Sequence, residues 1–346
     1  MDPFCPSSAW PAGYPPFHPR RWLGNAHAQT IAGNVLPRPS HLPRPVQVLV
    51  EVAPSRGLQI ASQVLCECHW QPLDVRRKRP TVILLHGLEG SSRSQYIIGN
   101  SSKFFNAGCN VIRMNMRTCG GTEKLAPTLY HSGMSGDVGA VMQYFLQSEH
   151  LECIALLGYS MGGNLVLKLA GELGNDAPAQ LRAVVGVSAA LDLAESANAL
   201  HEPPNRFYER RFVKALLKRY RRKAFLFPRA FDPQHTEGIS SIRGFDDRIT
   251  ALYGGFRDAD DYYSRSSAAR VLDRIRVPTL LIHACDDPFV RITAETRAII
   301  SHNHHITLLE TEHGGHCAFL ARPEPANGND GYWAEHTAIR FVMCHT

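Results

Sequence analysis

The chain has 346 residues, 44% hydrophobic and 20% charged, which is enough apolar material for a sizeable core and too much for a disordered chain. A net charge of +6 is mildly basic; with no concentrated patch interleaved with aromatics it argues against nucleic-acid binding. No apolar stretch approaches the roughly 18–20 residues of a membrane-spanning helix, and Met1-Asp2-Pro3-Phe4-Cys5-Pro6 lacks the basic and apolar regions of a secretion signal.

Prolines recur through residues 1–20, so an extended N-terminal arm is expected there, followed by one domain over 21–346. Val46 to Val52 and Leu58 to Trp70 read as an antiparallel strand pair. Thr81 to Leu85 is an apolar strand leading into His86-Gly87, and Asn110 to Met116 is the next. Asp137 to Leu146 reads as a helix. Cys153 to Leu157 is a short buried strand, Asn164 to Ala170 a helix, and Ala183 to Val187 a strand. Thr279 to His283 and Ile306 to Leu309 are late strands separated by a helix starting near Thr293; Tyr332 to Met343 closes the chain as a helix. This alternation predicts a doubly wound, mostly parallel sheet whose active site lies at the carboxyl ends of the strands.

One block breaks the alternation, from about residue 193 to 265, and reads as a helical cap inserted over those strand ends. Within it Phe212, Val213, Leu216, Leu217 and Tyr220 follow helical spacing. Arg210, Arg211, Lys214, Lys218, Arg219, Arg221, Arg222 and Lys223 form a basic cluster beside Phe225-Leu226-Phe227. A solvated cap face is the plain reading; peripheral contact with an anionic membrane is the functional one. The nine cysteines are odd in number, and Cys109, Cys153 and Cys285 fall in strand-like runs that suit buried free thiols. A reducing cytoplasm is the simplest location.

Gly158-Tyr159-Ser160-Met161-Gly162 sits between an apolar strand and a helix, the context of a nucleophile elbow. There the serine occupies a tight turn with its hydroxyl raised above the sheet at a helix N-terminus, where the dipole favours developing negative charge. A serine hydroxyl needs a base, and the base needs an orienting acid; behind an elbow these follow in the order serine, acid, histidine. The acid belongs on the loop after a late strand. Asp286 and Asp287 compete there, and Asp287 is favoured because Pro288 fixes the turn behind it. The base belongs on the loop after the last strand, in Glu312-His313-Gly314-Gly315-His316. His316 is favoured over His313 because two glycines let it approach the elbow. Oxyanion donors are expected from the backbone N–H groups of Met161 and, in the loop His86-Gly87-Leu88-Glu89-Gly90, of Leu88. His313-x-x-His316 lacks a third ligand at metal spacing, so neither metal nor organic cofactor is called for.

Together with Arg21-Trp22-Leu23-Gly24-Asn25-Ala26-His27-Ala28-Gln29-Thr30, Tyr130-His131-Ser132-Gly133, Phe245-Asp246-Asp247-Arg248 and Asp260-Asp261-Tyr262-Tyr263, these motifs resemble the YheT-like α/β-hydrolases over nearly the whole chain from about residue 17. The resemblance implies an α/β-hydrolase fold and hydrolysis of short- to medium-chain acyl esters or monoacylglycerols, with acyl transfer to alcohols in some relatives. It also implies the triad Ser160, Asp287 and His316. It gives no role to His27, Gln29 and Thr30 beyond packing the arm against the core.

Overall fold

The computed structural model describes residues 13–55, 60–324 and 328–346. The first part of the expected arm (1–12) and the expected start of the second strand (Leu58 and Gln59) lie outside them. Eight strands form one sheet: β1 (Val46–Ala53), β2 (Ser62–His69), β3 (Thr81–Leu85), β4 (Asn110–Met114), β5 (Ile154–Tyr159), β6 (Leu181–Val187), β7 (Thr279–Ala284) and β8 (Ile306–Thr311). Their order is β1-β2-β4-β3-β5-β6-β7-β8. β1 pairs antiparallel with β2 and β2 antiparallel with β4; every later pairing is parallel.

The apolar runs are continuous because both faces of the parallel strands are covered. Strand alternation divides them. Ile83, Leu85, Ile112, Met114 and Leu156 enter one core, and Val82, Leu84, Val111, Ala155 and Leu157 the other. Among the helices are α1 (Ala26–Val35), the short surface α2 (Leu73–Arg76), α3 (Gln95–Asn106), α4 (Ser135–Ser148) and α5 (Met161–Leu173). Between β6 and β7 come α6 (Leu193–His201), α7 (Arg206–Leu226), α8 (Ile242–Phe245), α9 (Ala251–Gly254) and α10 (Ala259–Ser266). These enclose a third core of their own, including Leu200, Val213, Leu216, Phe245 and Tyr262. α11 (Ala294–His302), capped by Thr293, and α12 (Trp333–His345) complete the chain. No described helix is long and apolar enough to cross a membrane.

Two expectations need correction. Arg219 and Lys223 do not belong to an exposed basic face. Arg219 grips Glu89 in the loop after β3, and fully buried Lys223 donates to the carbonyls of Glu123 and Ala126 while its Nζ sits 4.0 Å above the Phe227 ring. Their carbon stems follow the buried stripe of α7, so their charged ends meet carbonyls and a carboxylate instead of water. Cys285 lies just past β7, half-buried, and is disulfide-bonded rather than a free thiol. Seven other described cysteines are free.

Candidate active site

β5 ends at Tyr159 and α5 begins at Met161, so Ser160 alone makes the turn. It does so at φ 55° and ψ −119°, a conformation costly for a residue with a Cβ. The turn survives because its neighbours leave no alternative. The Ser160 N–H donates to Val187 O at 2.9 Å, and the Ser160 carbonyl starts α5 by accepting from Asn164 N–H. Gly162 must lack a side chain: a Cβ there would lie 2.5 Å from the His86 carbonyl oxygen. Asn164 ties the helix outward, donating to the carbonyls of Ser132 and Ser266 and accepting from the Ala268 N–H. The Ser160 hydroxyl makes no capping hydrogen bond and faces an apolar cavity walled largely by the helices between β6 and β7, the segment expected as a cap.

The loop after β3 is fixed from several sides. The Gly87 N–H donates to Tyr96 Oη, the Glu89 N–H to Tyr130 Oη, and the Gly90 N–H to Gly87 O. Buried His86 bridges Gly87 O and Met116 N–H; burial holds its imidazole down at about 4, hence neutral. Leu88 sits between these anchored amides and lines the cavity with Ser160 and Met161. Met161 is the first residue of α5, where an N–H has no partner within the helix. Arg219 from α7 forks onto Glu89, with Nε 2.8 Å from Oε1 and Nη2 3.1 Å from Oε2. Tyr130 Oη donates to the same carboxylate at 2.7 Å. The sequence offered no direct sign that a cap residue holds this loop.

Past β7 the two aspartates separate. Asp287 Oδ1 accepts from the Phe289 and Val290 N–H groups, and Oδ2 lies 2.8 Å from His316 Nδ1. Asp286 instead accepts from the Gly315 N–H and faces His313 at 3.4 Å. Burial works to raise the Asp287 carboxyl, but the adjacent His316 and the amide donors outweigh it and hold it below its ordinary value. For His316 burial works the other way, against the imidazolium; the Asp287 carboxylate overrides it and raises the histidine above its ordinary value. The His316 ring also packs on Phe289, centroids 4.2 Å apart, and Phe289 lines the cavity with Ser160.

α1 supplies what the sequence left without a role. Thr30 Oγ1 accepts the His316 N–H at 2.9 Å. Gln29 Oε1 accepts the Leu320 N–H, and its Nε2 donates to the carbonyls of Leu23 and Leu320. Gly315, at φ +58°, brings the loop so close that a Cβ would meet Ala26 O at 2.5 Å. His27 Nδ1 lies 3.1 Å from Tyr208 Oη on α7. The element therefore grips the loop that carries His316 and touches the cap at once.

The cavity wall is largely aliphatic and aromatic, from Leu193, Leu200, Phe212, Leu216, Ile242 and Phe245. Leu88, Ser160 and Met161 line this cavity, and the Asp287–His316 pair reaches it through Phe289, an arrangement suited to acyl chemistry.

A model of the α/β hydrolase fold matches residues 80–323. The candidate esterase YheT of Escherichia coli is 31% identical over 311 residues, 88% of this chain and 87% of its own length. Phospholipase ABHD3 of Bos taurus is 29% identical over 246 residues, and the monoacylglycerol lipase of Saccharomyces cerevisiae 28% over 253. Each of these matches covers 70% of this chain, but the chain spans only 59% and 55% of those two relatives. Among solved structures, 2,6-dihydroxy-pseudo-oxynicotine hydrolase gives a TM-score of 0.55 at 15% identity, covering 92% of this chain and 71% of that one. The Pyrococcus furiosus esterase Pf2001 gives 0.53 at 15%, covering 96% and 98%. At such identities the likeness is one of fold. From the family match and the shared length with YheT together, the chain belongs to the α/β hydrolase fold family, in the group that includes YheT.

Proposed function

We propose that this protein is a serine-dependent carboxylic ester hydrolase acting on short- to medium-chain acyl esters or monoacylglycerol-like lipids. The observation that carries the reading is the 2.8 Å pairing of His316 Nδ1 with buried Asp287, set beside the cavity onto which strained Ser160 faces. The esterase, phospholipase and lipase names of the relatives support the same class.

The chemistry has two halves. His316 Nε2 takes the Ser160 proton as Oγ attacks the ester carbonyl carbon. The carbonyl oxygen becomes an oxyanion, held by the N–H groups of Leu88 and Met161. Loss of one such donor costs roughly 10²–10³ in rate. Asp287 holds the Nδ1–H tautomer and stabilises the imidazolium. The C–O bond then breaks, and the alcohol leaves with the proton from His316. Water attacks the acyl-enzyme by the same route in reverse, releasing the acid and restoring Ser160.

Hydrolysis of p-nitrophenyl esters from acetyl to palmitoyl tests this. Turnover abolished by Ser160→Ala is expected, with the preferred length reporting cavity depth. Turnover that survives the substitution, or none at any length by folded protein, would sink the reading.

The apolar cavity would also favour an alcohol over water as acyl acceptor; ester exchange measured in added alcohol separates acyltransferase from hydrolase. Peripheral membrane contact through α7 is supported by Phe225, 78% exposed beside exposed Arg221 and Arg222. Sedimentation with anionic vesicles should be salt-sensitive and weakened by Phe225→Ala; no binding at low salt would end that idea. A cytoplasmic location is supported by the seven free cysteines among the described residues, while the disulfide at Cys285 counts against it. Fractionation of cells decides it.

A further inference from the structure

Among the described residues lining the cavity, Asp246 is the single carboxylate, and none is a lysine or arginine. His131, the one imidazole on the wall, is kept neutral because burial, with Arg117 and Arg265 nearby, holds it down at about 4. Asp246 opens a π-helical turn, Asp246–Thr250, a local irregularity that recurs at functional sites. Inside that turn Thr250 Oγ1 donates to Asp246 Oδ1 at 2.7 Å. From α10, Tyr263 Oη donates to Oδ2 at 2.9 Å. Thr250 and Tyr263 line the cavity too.

A purely structural role is the competing explanation, and the neighbouring acids show what that looks like. Asp247 accepts the Ala259 N–H, and Asp258 caps α10 through the Asp261 N–H. Asp260 pairs with Arg243 at 2.6 Å on the surface. Among the described residues Asp246 has no such partner: its contacts there are two neutral hydroxyls, and burial pushes its carboxyl up to about 6. A carboxylate accepts about four hydrogen bonds, so two hydroxyls leave roughly half of its capacity open. A part-buried carboxylate on an apolar wall without a cation is a cost that folding alone does not require.

We propose that Asp246, set by Thr250 and Tyr263, is a polar subsite in the acyl cavity that accepts a hydrogen bond from a hydroxyl on the acyl chain, so that hydroxylated acyl esters are preferred. The proposal rests on the ester-hydrolase reading of Ser160. The acyl side is indicated because Asp246 lies among the apolar cap residues Ile242, Phe245, Phe212 and Leu216. A hydroxyl fits better than an ammonium group, because an ammonium costs far more to bring from water into an apolar cavity.

The test compares kcat/KM for p-nitrophenyl octanoate with the 3-, 6- and 8-hydroxyoctanoate esters, using the full chain. The ratio of hydroxylated to plain ester within one preparation is independent of the fraction of folded protein. Wild type is expected to favour at least one hydroxylated ester by on the order of tenfold to a hundredfold, the worth of a hydrogen bond to a charged group. Asp246→Leu should bring that ratio to one or below, and Asp246→Asn, which still accepts from Tyr263, should lie between. Ratios of one or less for every hydroxylated ester in wild type, or a ratio unchanged in Asp246→Leu, would overturn the subsite. Turnover of the plain ester that persists in Ser160→Ala would instead remove the ester reading, and the subsite with it.

Discussion

Asp286 and Asp287 are adjacent in the chain, yet the loop turns one carboxylate to Gly315 and His313 and the other to His316. The sequence favours Asp287 because Pro288 follows it, and a proline restricts the residue before it. Asp287→Asn is expected to lower kcat/KM by roughly 10⁴-fold, as when such a histidine is left in the wrong tautomer. The pH profile carries a sign. As the proposed base His316 must be neutral to take a proton, and Asp287 raises its pKa, so activity is expected to fall as pH drops through that raised value. The acid limb of the variant should therefore move to lower pH; a limb that stays put would contradict the pairing.

Asp246 carries a charge that folding disfavours. Its folded pKa of about 6 exceeds the ordinary 3.8, so the native state pays for its charge above about pH 6 and regains stability as pH falls toward 3.8. Asp246→Asn should stabilise the protein by about 1–3 kcal/mol at pH 7.5 and by almost nothing at pH 4. Denaturation at both pH values checks this, and equal effects at the two would refute it. Asp246 was not legible as a cavity residue, because the π-helical turn that aims it leaves no mark in hydrophobic periodicity.

At the scale of elements, α5 and the loop after β3 were readable because strand, tight turn and helix are encoded locally by glycine spacing and apolar runs. α7 was readable as a helix from Phe212, Val213, Leu216, Leu217 and Tyr220, but what α1 and α7 touch across the fold was not. A signal did exist in α7: Leu216, Tyr220 and Lys223 recur at helical spacing and share its buried side, with Arg219 between them. Reading the basic residues as one group concealed it. For α1, Thr30→Val removes the acceptor of the buried His316 N–H, a loss worth about 1–3 kcal/mol. Lower kcat with little change in KM is expected, because the loop holding the base loosens while the cavity wall stays. A KM effect alone would mean that α1 serves the cavity instead.

For the whole molecule, the order of strands was inferable only as a class. Alternating strands and helices imply a parallel sheet, but the crossing that puts β4 between β2 and β3 depends on packing far apart in sequence. Closure by α12 depends on similar distant contacts. Glu335 is buried on that helix and meets Arg38 at 3.3 Å and Lys103 at 2.6 Å. Glu335→Ala would strand buried Arg38 without its counter-charge and is expected to cost about 3–5 kcal/mol, read from urea denaturation. A cost below about 1 kcal/mol, the worth of a surface pair, would show that the network is dispensable.

The grip of Thr30 on His316 spans 286 positions, and this sets a schedule for biosynthesis. A ribosome delivers α1 early, then the oxyanion loop and the serine turn, and the histidine loop only near the end. Until that last segment emerges, α1 can meet the cap through His27 and Tyr208 but has no histidine loop to grip. On the proposed mechanism a nascent chain would be chemically silent, and activity would arrive in one late step when the two distant segments meet.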